Sequence, residues 1–285
     1  MRYDREGLNS LLREAREAAA TDIHLKCPSR PRFRIEGTLV QSPHPTLRPG
    51  DTLRLVQAVL DLAGREVPLA ALSDLQVGFG LHNQGRFRAH IYRQRGSLGM
   101  VIHRMALTPP RLADLGATPN LASEVWGGGG LVLVTGRSDR LETLAALADA
   151  YNHLRAGSLF SIEEPLEYLH KDARAVMSQR EVGVDVPTVA AGLQSALRAD
   201  CDALVTTDIP DAASAEAMLR FVEEGHPVAA GLASATPDAA AAMLARRFPS
   251  ERRDEVEDRI SRCLIGVLHR DGEHLVMLSP AKRDT

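Results

Sequence analysis

The chain has 285 residues, 44% of them hydrophobic and 25% charged, with a formal net charge of −3. That length fits about two domains with ordinary cores, and the near-neutral balance argues against a nucleic-acid partner or an acidic membrane surface. Cys27, Cys201 and Cys263 share no CxxC or metal-ligand spacing, so reduced thiols and no metal site are expected. No run approaches the roughly 18 apolar residues of a membrane span, and Met1-Arg-Tyr-Asp-Arg-Glu6 lacks the apolar segment of a secretory signal. A cytoplasmic chain is expected.

Residues 4–20 place Leu8, Leu11, Leu12, Ala15 and Ala18 at helical spacing between charges, which predicts an amphipathic first helix. Thr21 to Lys26 alternates as a strand, and Arg32 to Val40 alternates on both sides of a turn at Gly37. A helix is expected from Thr52 to Leu62, after the break at Pro49-Gly50-Asp51. Strands follow at Val77–Leu81, Arg86–Tyr92 and Met100–Arg104. The division predicted is an α+β domain over 1–106, a linker over 107–126 centred on Thr108-Pro109-Pro110, and a second domain over 127–285.

The second domain alternates strand and helix, with strands at 131–135, 158–162, 203–206 and 227–232 and helices at 144–153, 189–198, 212–224 and 239–248. Apolar strands between helices predict a mainly parallel sheet covered on both faces. The charged stretch from Glu251 to Glu257 reads as a solvated helical face.

Leu131-Val-Leu-Val-Thr-Gly136, then Arg137 to Glu142 and the apolar run from Thr143, has the strand–turn–helix order of a phosphate-binding P-loop. Such a loop needs a second glycine, a lysine and a Ser/Thr hydroxyl. Here Asp139 and Glu142 bring negative charge, no lysine lies between Lys26 and Lys171, and the loop reads as about two residues short. Gly136 alone is also compatible with an ordinary strand–helix turn. Thr143 either presents a hydroxyl or caps the helix.

Several strings together resemble the PilT-like retraction motors of type IV pili, within the type II/IV secretion ATPase superfamily. They are Thr21-Asp-Ile-His-Leu25, Phe33-Arg-Ile-Glu-Gly37, Gly85-Arg-Phe-Arg88, Gly130 to Gly136, Thr143-Leu-Ala-Ala146, Ser161-Ile-Glu-Glu-Pro-Leu-Glu-Tyr168, Ser178-Gln-Arg-Glu-Val182, Ala196-Leu-Arg-Ala-Asp200 and Glu224-Gly-His226. The resemblance implies an α/β chain with a PAS-like N-terminal domain and a RecA-like P-loop-type domain. It also implies ATP with Mg²⁺, hexameric rings of itself or a related motor, and peripheral contact with the pilus platform at the inner membrane.

Carried onto this sequence, the resemblance implies nucleotide-binding positions at Gly136, Ser138 and Thr143 and acidic catalytic positions at Glu163, Glu164 and Asp208. Arginines reaching a neighbouring subunit would be Arg86, Arg88 and Arg104, and His226 matches a family histidine. Asp208 stands where the family has a glutamate, Pro210 where it has an arginine, and Ala233 or Ser234 where it has another histidine. These departures imply a catalytically impaired member acting in binding or assembly. An ATP-hydrolysing motor with a non-standard loop is the alternative. Each position also has a plainer reading: Glu163 and Glu164 as a strand-end pair, the arginines as a solvated sheet face, and His226 as a structural turn.

Overall fold

A computed structural model describes residues 3–82, 84–105, 108–136, 139–234, 236–271 and 274–278. The chain divides into two compact units at Leu107/Thr108.

In the first unit, α1 (Arg5–Glu17) starts where the Asp4 carboxylate accepts from the Gly7 amide, and it buries Leu8, Leu11, Leu12 and Ala15. Six antiparallel strands follow the order β3 (Thr38–Gln41), β2 (Arg32–Ile35), β1 (Asp22–Leu25), β6 (Ser97–Arg104), β5 (Gly85–Gln94), β4 (Asp74–Leu81). The helix α2 (Pro49–Leu62) lies between β3 and β4 in sequence. Two of the hairpins turn on residue pairs in the left-handed region, Glu36-Gly37 and Arg95-Gly96. The second pair starts β6 three residues earlier than its apolar run indicated. Leucines of both helices pack with Ile23, Phe87, Ile91 and Ile102 on one face of the sheet.

The second unit has a seven-stranded sheet in the order β13 (His274–Leu278), β12 (Leu264–Asp271), β7 (Gly130–Thr135), β11 (Pro227–Leu232), β10 (Ala203–Thr206), β8 (Ser158–Glu163), β9 (Val176–Glu181). Every pair is parallel except β12 with β13. Side chains of β7 alternate between two cores. Leu131 and Leu133 pack with α5 (Val189–Leu197), α6 (Ala212–Glu223), α7 (Ala240–Ala245) and α8 (Arg253–Cys263). Val132 and Val134 pack with α3 (Leu121–Trp126) and α4 (Asp139–Leu154) on the other face. The α/β class with a mainly parallel second sheet is therefore as the sequence indicated. Among the described residues no helix is long and apolar enough to cross a membrane.

The sequence reading missed three strands, β9, β12 and β13. The segment read as a linker also differs. Residues 112–115 form a 3₁₀ turn and 121–126 form α3, and Leu115, Leu121, Val125 and Trp126 are buried in the second unit. The Trp126 indole N–H donates to the Leu147 carbonyl of α4 at 3.0 Å. The connecting segment that these leave is the proline-containing stretch ahead of residue 112.

This packing is testable, because Trp126 is the single tryptophan and its fluorescence reports the second unit. Leu121→Ala removes a side chain that is 3% exposed. The expected loss is about 2–5 kcal/mol, seen as an earlier urea midpoint of Trp126 emission. An unchanged midpoint would contradict the packing of this segment into the second core.

Candidate functional site

Parallel strands β7, β10 and β8 bring Gly136, Asp208 and the Glu163-Glu164 pair to one edge of the sheet, at the strands' C-terminal ends. Open α/β sheets place ligand chemistry at this edge. Gly136 has φ 130°, and a Cβ there would meet the Arg270 carbonyl at 3.3 Å. The turn alone therefore requires glycine, whatever it binds.

The loop after Gly136 is not shortened. Counted against G-x-x-x-x-G-K-[ST], Gly136 to Thr143 fills every position, with Leu141 for the second glycine, Glu142 for the lysine and Thr143 for the hydroxyl. It looks short because α4 is already helical from Asp139, so positions that would curl around phosphate form a helical turn instead. Arg137 and Ser138 lie outside the described residues, and with them the Ser138 nucleotide-binding position. Thr143 is fully buried, and its hydroxyl donates back to the Asp139 carbonyl at 3.0 Å. Bonded to the carbonyl four residues back, it does not cap the helix.

Glu142 turns to β12. Its Oε2 accepts from an Arg270 guanidinium nitrogen at 2.5 Å, with side-chain exposures of 43% for Glu142 and 14% for Arg270. Burial, reinforced by the nearby Glu142 charge, pushes the Tyr168 phenol up to about 12. Arg270 was not singled out in the sequence. The apolar run Leu264–Leu268 and the following Asp271-Gly272 dipeptide are the strand-and-hairpin signal that leads to it.

The two glutamates part company. Glu164 is exposed, and its amide donates to the Thr207 hydroxyl at 2.7 Å. Glu163 is buried and accepts from the Ser161 hydroxyl at 2.5 Å and the Gln179 amide at 2.9 Å. Burial pushes its carboxyl up to about 7, outweighing the opposite effect of those two hydrogen bonds. A cavity of about 10 Å³, room for about one water, touches Ser161, Glu163, Tyr168, His170 and Thr207. Asp208 follows β10, and its Oδ1 is buried with no hydrogen-bond partner among the described residues.

One predicted residue of the second unit is not brought here. His226 precedes β11 at the opposite, N-terminal edge, where its ring packs on Phe221 at 4.7 Å between centroids. Of Ala233 and Ser234, the two residues that could stand for the family's other histidine, Ser234 donates to the Thr236 carbonyl at 2.6 Å. The three arginines belong to the first unit and do not share a face. Arg86 and Arg88 oppose Gly80 and Gly78 on the open face of the sheet, whereas Arg104 opposes Phe87 on the helix-covered face.

The sequence profile of type II/IV secretion system proteins matches residues 5–248. The chain belongs to that family. YggR of Escherichia coli K12, named as an uncharacterized protein, is 31% identical over 251 residues, covering 87% of this chain and 76% of YggR. The type IV pilus retraction ATPase PilT of Pseudomonas aeruginosa is 26% identical over 263 residues, covering 92% of this chain and 76% of PilT. A crystal structure of the pilus retraction motor PilT with bound ADP matches at TM-score 0.83 and 28% identity, over 96% of this chain and 83% of that one. The chain is a PilT-like member of its family.

The buried Glu163 gives a pH test. Its unfolded carboxyl ionises near 4.5 and the folded one near 7, so between those values the folded state holds the extra proton. Stability should therefore fall as pH rises through that window and level off above it, by on the order of 3 kcal/mol. Urea unfolding followed by Trp126 emission should show this decline, and Glu163→Gln should flatten it. Parallel profiles for the two proteins would refute the assignment.

Proposed function

We propose that this chain is a component of type IV pilus or related secretion machinery that acts in binding or assembly and has lost ATP turnover. The observation that carries the reading is the wound loop. ATP and Mg²⁺, which the family implies, do not fit the residues described at this edge. The second glycine and lysine positions hold Leu141 and Glu142, and the Thr143 hydroxyl is engaged by the Asp139 carbonyl. Among the described residues no group of three His, Cys, Asp or Glu side chains is placed to hold a metal ion.

In this reading the chain works in the cytoplasm, peripheral to the inner membrane, as a ring-like oligomer of itself or with an active relative. The rings that the family resemblance implies are the reason to expect association here. In this reading Arg86 and Arg88, which share one face of the first sheet, would meet carboxylates of a neighbour, and salt should weaken that contact.

One observation favours the alternative of a working ATPase. The buried, unpartnered Oδ1 of Asp208 is an acceptor of the kind a water or cation satisfies. Steady-state phosphate release from Mg²⁺·ATP separates the readings. The proposal expects no release above an Asp208→Ala variant. Turnover at the level of pilus motors, abolished by Asp208→Ala, would overturn it.

A further inference from the structure

We infer that the open face of the first sheet carries a binding site for a small oxyanion, a ligand bearing a phosphate- or sulfate-like group, centred on Arg88, His90 and His103. The site is built wholly from the first unit and uses nothing of the wound loop, so it goes beyond the proposed function and neither depends on the other.

The strand register assembles the site. Side chains alternate between the two faces of a sheet, and residues paired across neighbouring strands stand side by side on one face. Ile23, Phe87, Ile91 and Ile102 occupy the face that the helices cover. The opposite face carries two rows that cross the strands from β2 to β4. One runs Arg34, Asp22, His103, Arg88, Gly78, and the row beside it runs Arg32, His24, Val101, His90, Gln76. Three arginines and three histidines thus share two rows with one carboxylate, in a chain whose net charge is −3. The members come from strands far apart in sequence, so no local motif announces them.

The rows also leave room. A cavity of about 410 Å³ lies among Arg88, His90, His103, Val101 and the carboxylates of Asp22 and Asp74. That volume is within the range of small-molecule pockets. Val101 is short, and Gly78 ends its row with no side chain at all.

The chemistry selects the ligand. Both carboxylates are already engaged. Asp22 lies 3.0 Å from His103 Nδ1 and 3.6 Å from the Arg34 guanidinium, and Asp74 lies 3.0 Å from His90 Nε2. His103 therefore faces Asp22 on β1 and Arg88 on β5, while His90 faces Asp74 and Gln76 on β4 and Val101 on β6. Guanidinium and protonated imidazole offer N–H donors and no acceptor, which suits an oxyanion. A metal ion does not suit the face, because no group of three ligating side chains is found among the described residues. His24, across Val101 from His90, supports the same sign of ligand. Its Nε2 is buried with no hydrogen-bond partner among the described residues. Burial and then the Arg34 charge hold its imidazole below the usual range, Lys26 and Arg32 acting in the same sense and Asp22 in the opposite one. An added anion counters those effects.

Proton NMR of the histidine C2–H signals in the full chain, assigned with single His→Gln variants, tests this with inorganic sulfate, whose charge stays constant through the titration. Sodium chloride at equal ionic strength subtracts screening. Sulfate should raise the apparent pKa of His90 and His103 by about half a unit beyond chloride, equivalent to about threefold tighter binding per protonated histidine. His226 and His269, in the second unit, should not move. Arg88→Gln should abolish the rise. If circular dichroism shows that variant to be misfolded, Arg88→Lys, which keeps the charge and loses the planar fork, should diminish it. No rise beyond chloride, an equal rise at His226 and His269, or a rise untouched by the Arg88 variants overturns the proposal. Signals that shift on protein dilution and not with sulfate indicate a second copy on this face and overturn it as well. Mg²⁺·ATP turnover by the unaltered chain would sink the proposed function but leaves this readout intact.

Discussion

Because α4 is already helical at Asp139, only two residues separate it from the turn at Gly136. A phosphate loop works by leaving successive backbone N–H groups free to converge on one point. In a helix the amides of the first turn point along the axis instead of curling around one point, and each amide from the fifth residue onward donates to the carbonyl four positions back. Thr143 shows the consequence in its side chain as well, since its hydroxyl also returns to Asp139. Restoring a lysine at position 142 would not by itself rebuild the amide cradle. The pairing of Glu142 with Arg270 follows from the same winding, because a side chain on the first helical turn looks across at the end of β12.

The remaining acids of the edge have been sorted by burial. Glu163, drawn beneath the surface, has a carboxyl that burial pushes up to about 7. Glu164 stays outside, and Asp208 keeps one buried oxygen without a partner among the described residues. The frame of a RecA-like sheet is intact, with a continuous buried β7 and helices on both faces. The residues that differ from the family's motifs lie beyond strand ends and in the first turn of α4.

The readable part of the chain was the part whose pattern comes from burial. β7, β10 and β11 are apolar runs buried nearly throughout, and they were visible for that reason. β9 was missed because, as the edge strand Val-Met-Ser-Gln-Arg-Glu, it has one paired side and mostly half-buried side chains. β12 was missed because α8 passes into it at Cys263–Leu264 with no turn residue between. Missing β12 also hid Arg270, so the negative charge of Glu142 looked unopposed. Gly136, Glu163 and Asp208 lie at or just after the C-terminal ends of β7, β8 and β10, as the strand–helix order indicated. His226 stands before its strand and therefore belongs to the other edge.

The central claim is that residues 139–143 form a closed helical turn and not a nucleotide cradle. Hydrogen–deuterium exchange of the amides in that segment, with and without excess Mg²⁺·ATP, reads it directly. The account predicts superimposable exchange curves in the two conditions. Slower exchange confined to residues 136–143 when nucleotide is present would contradict it.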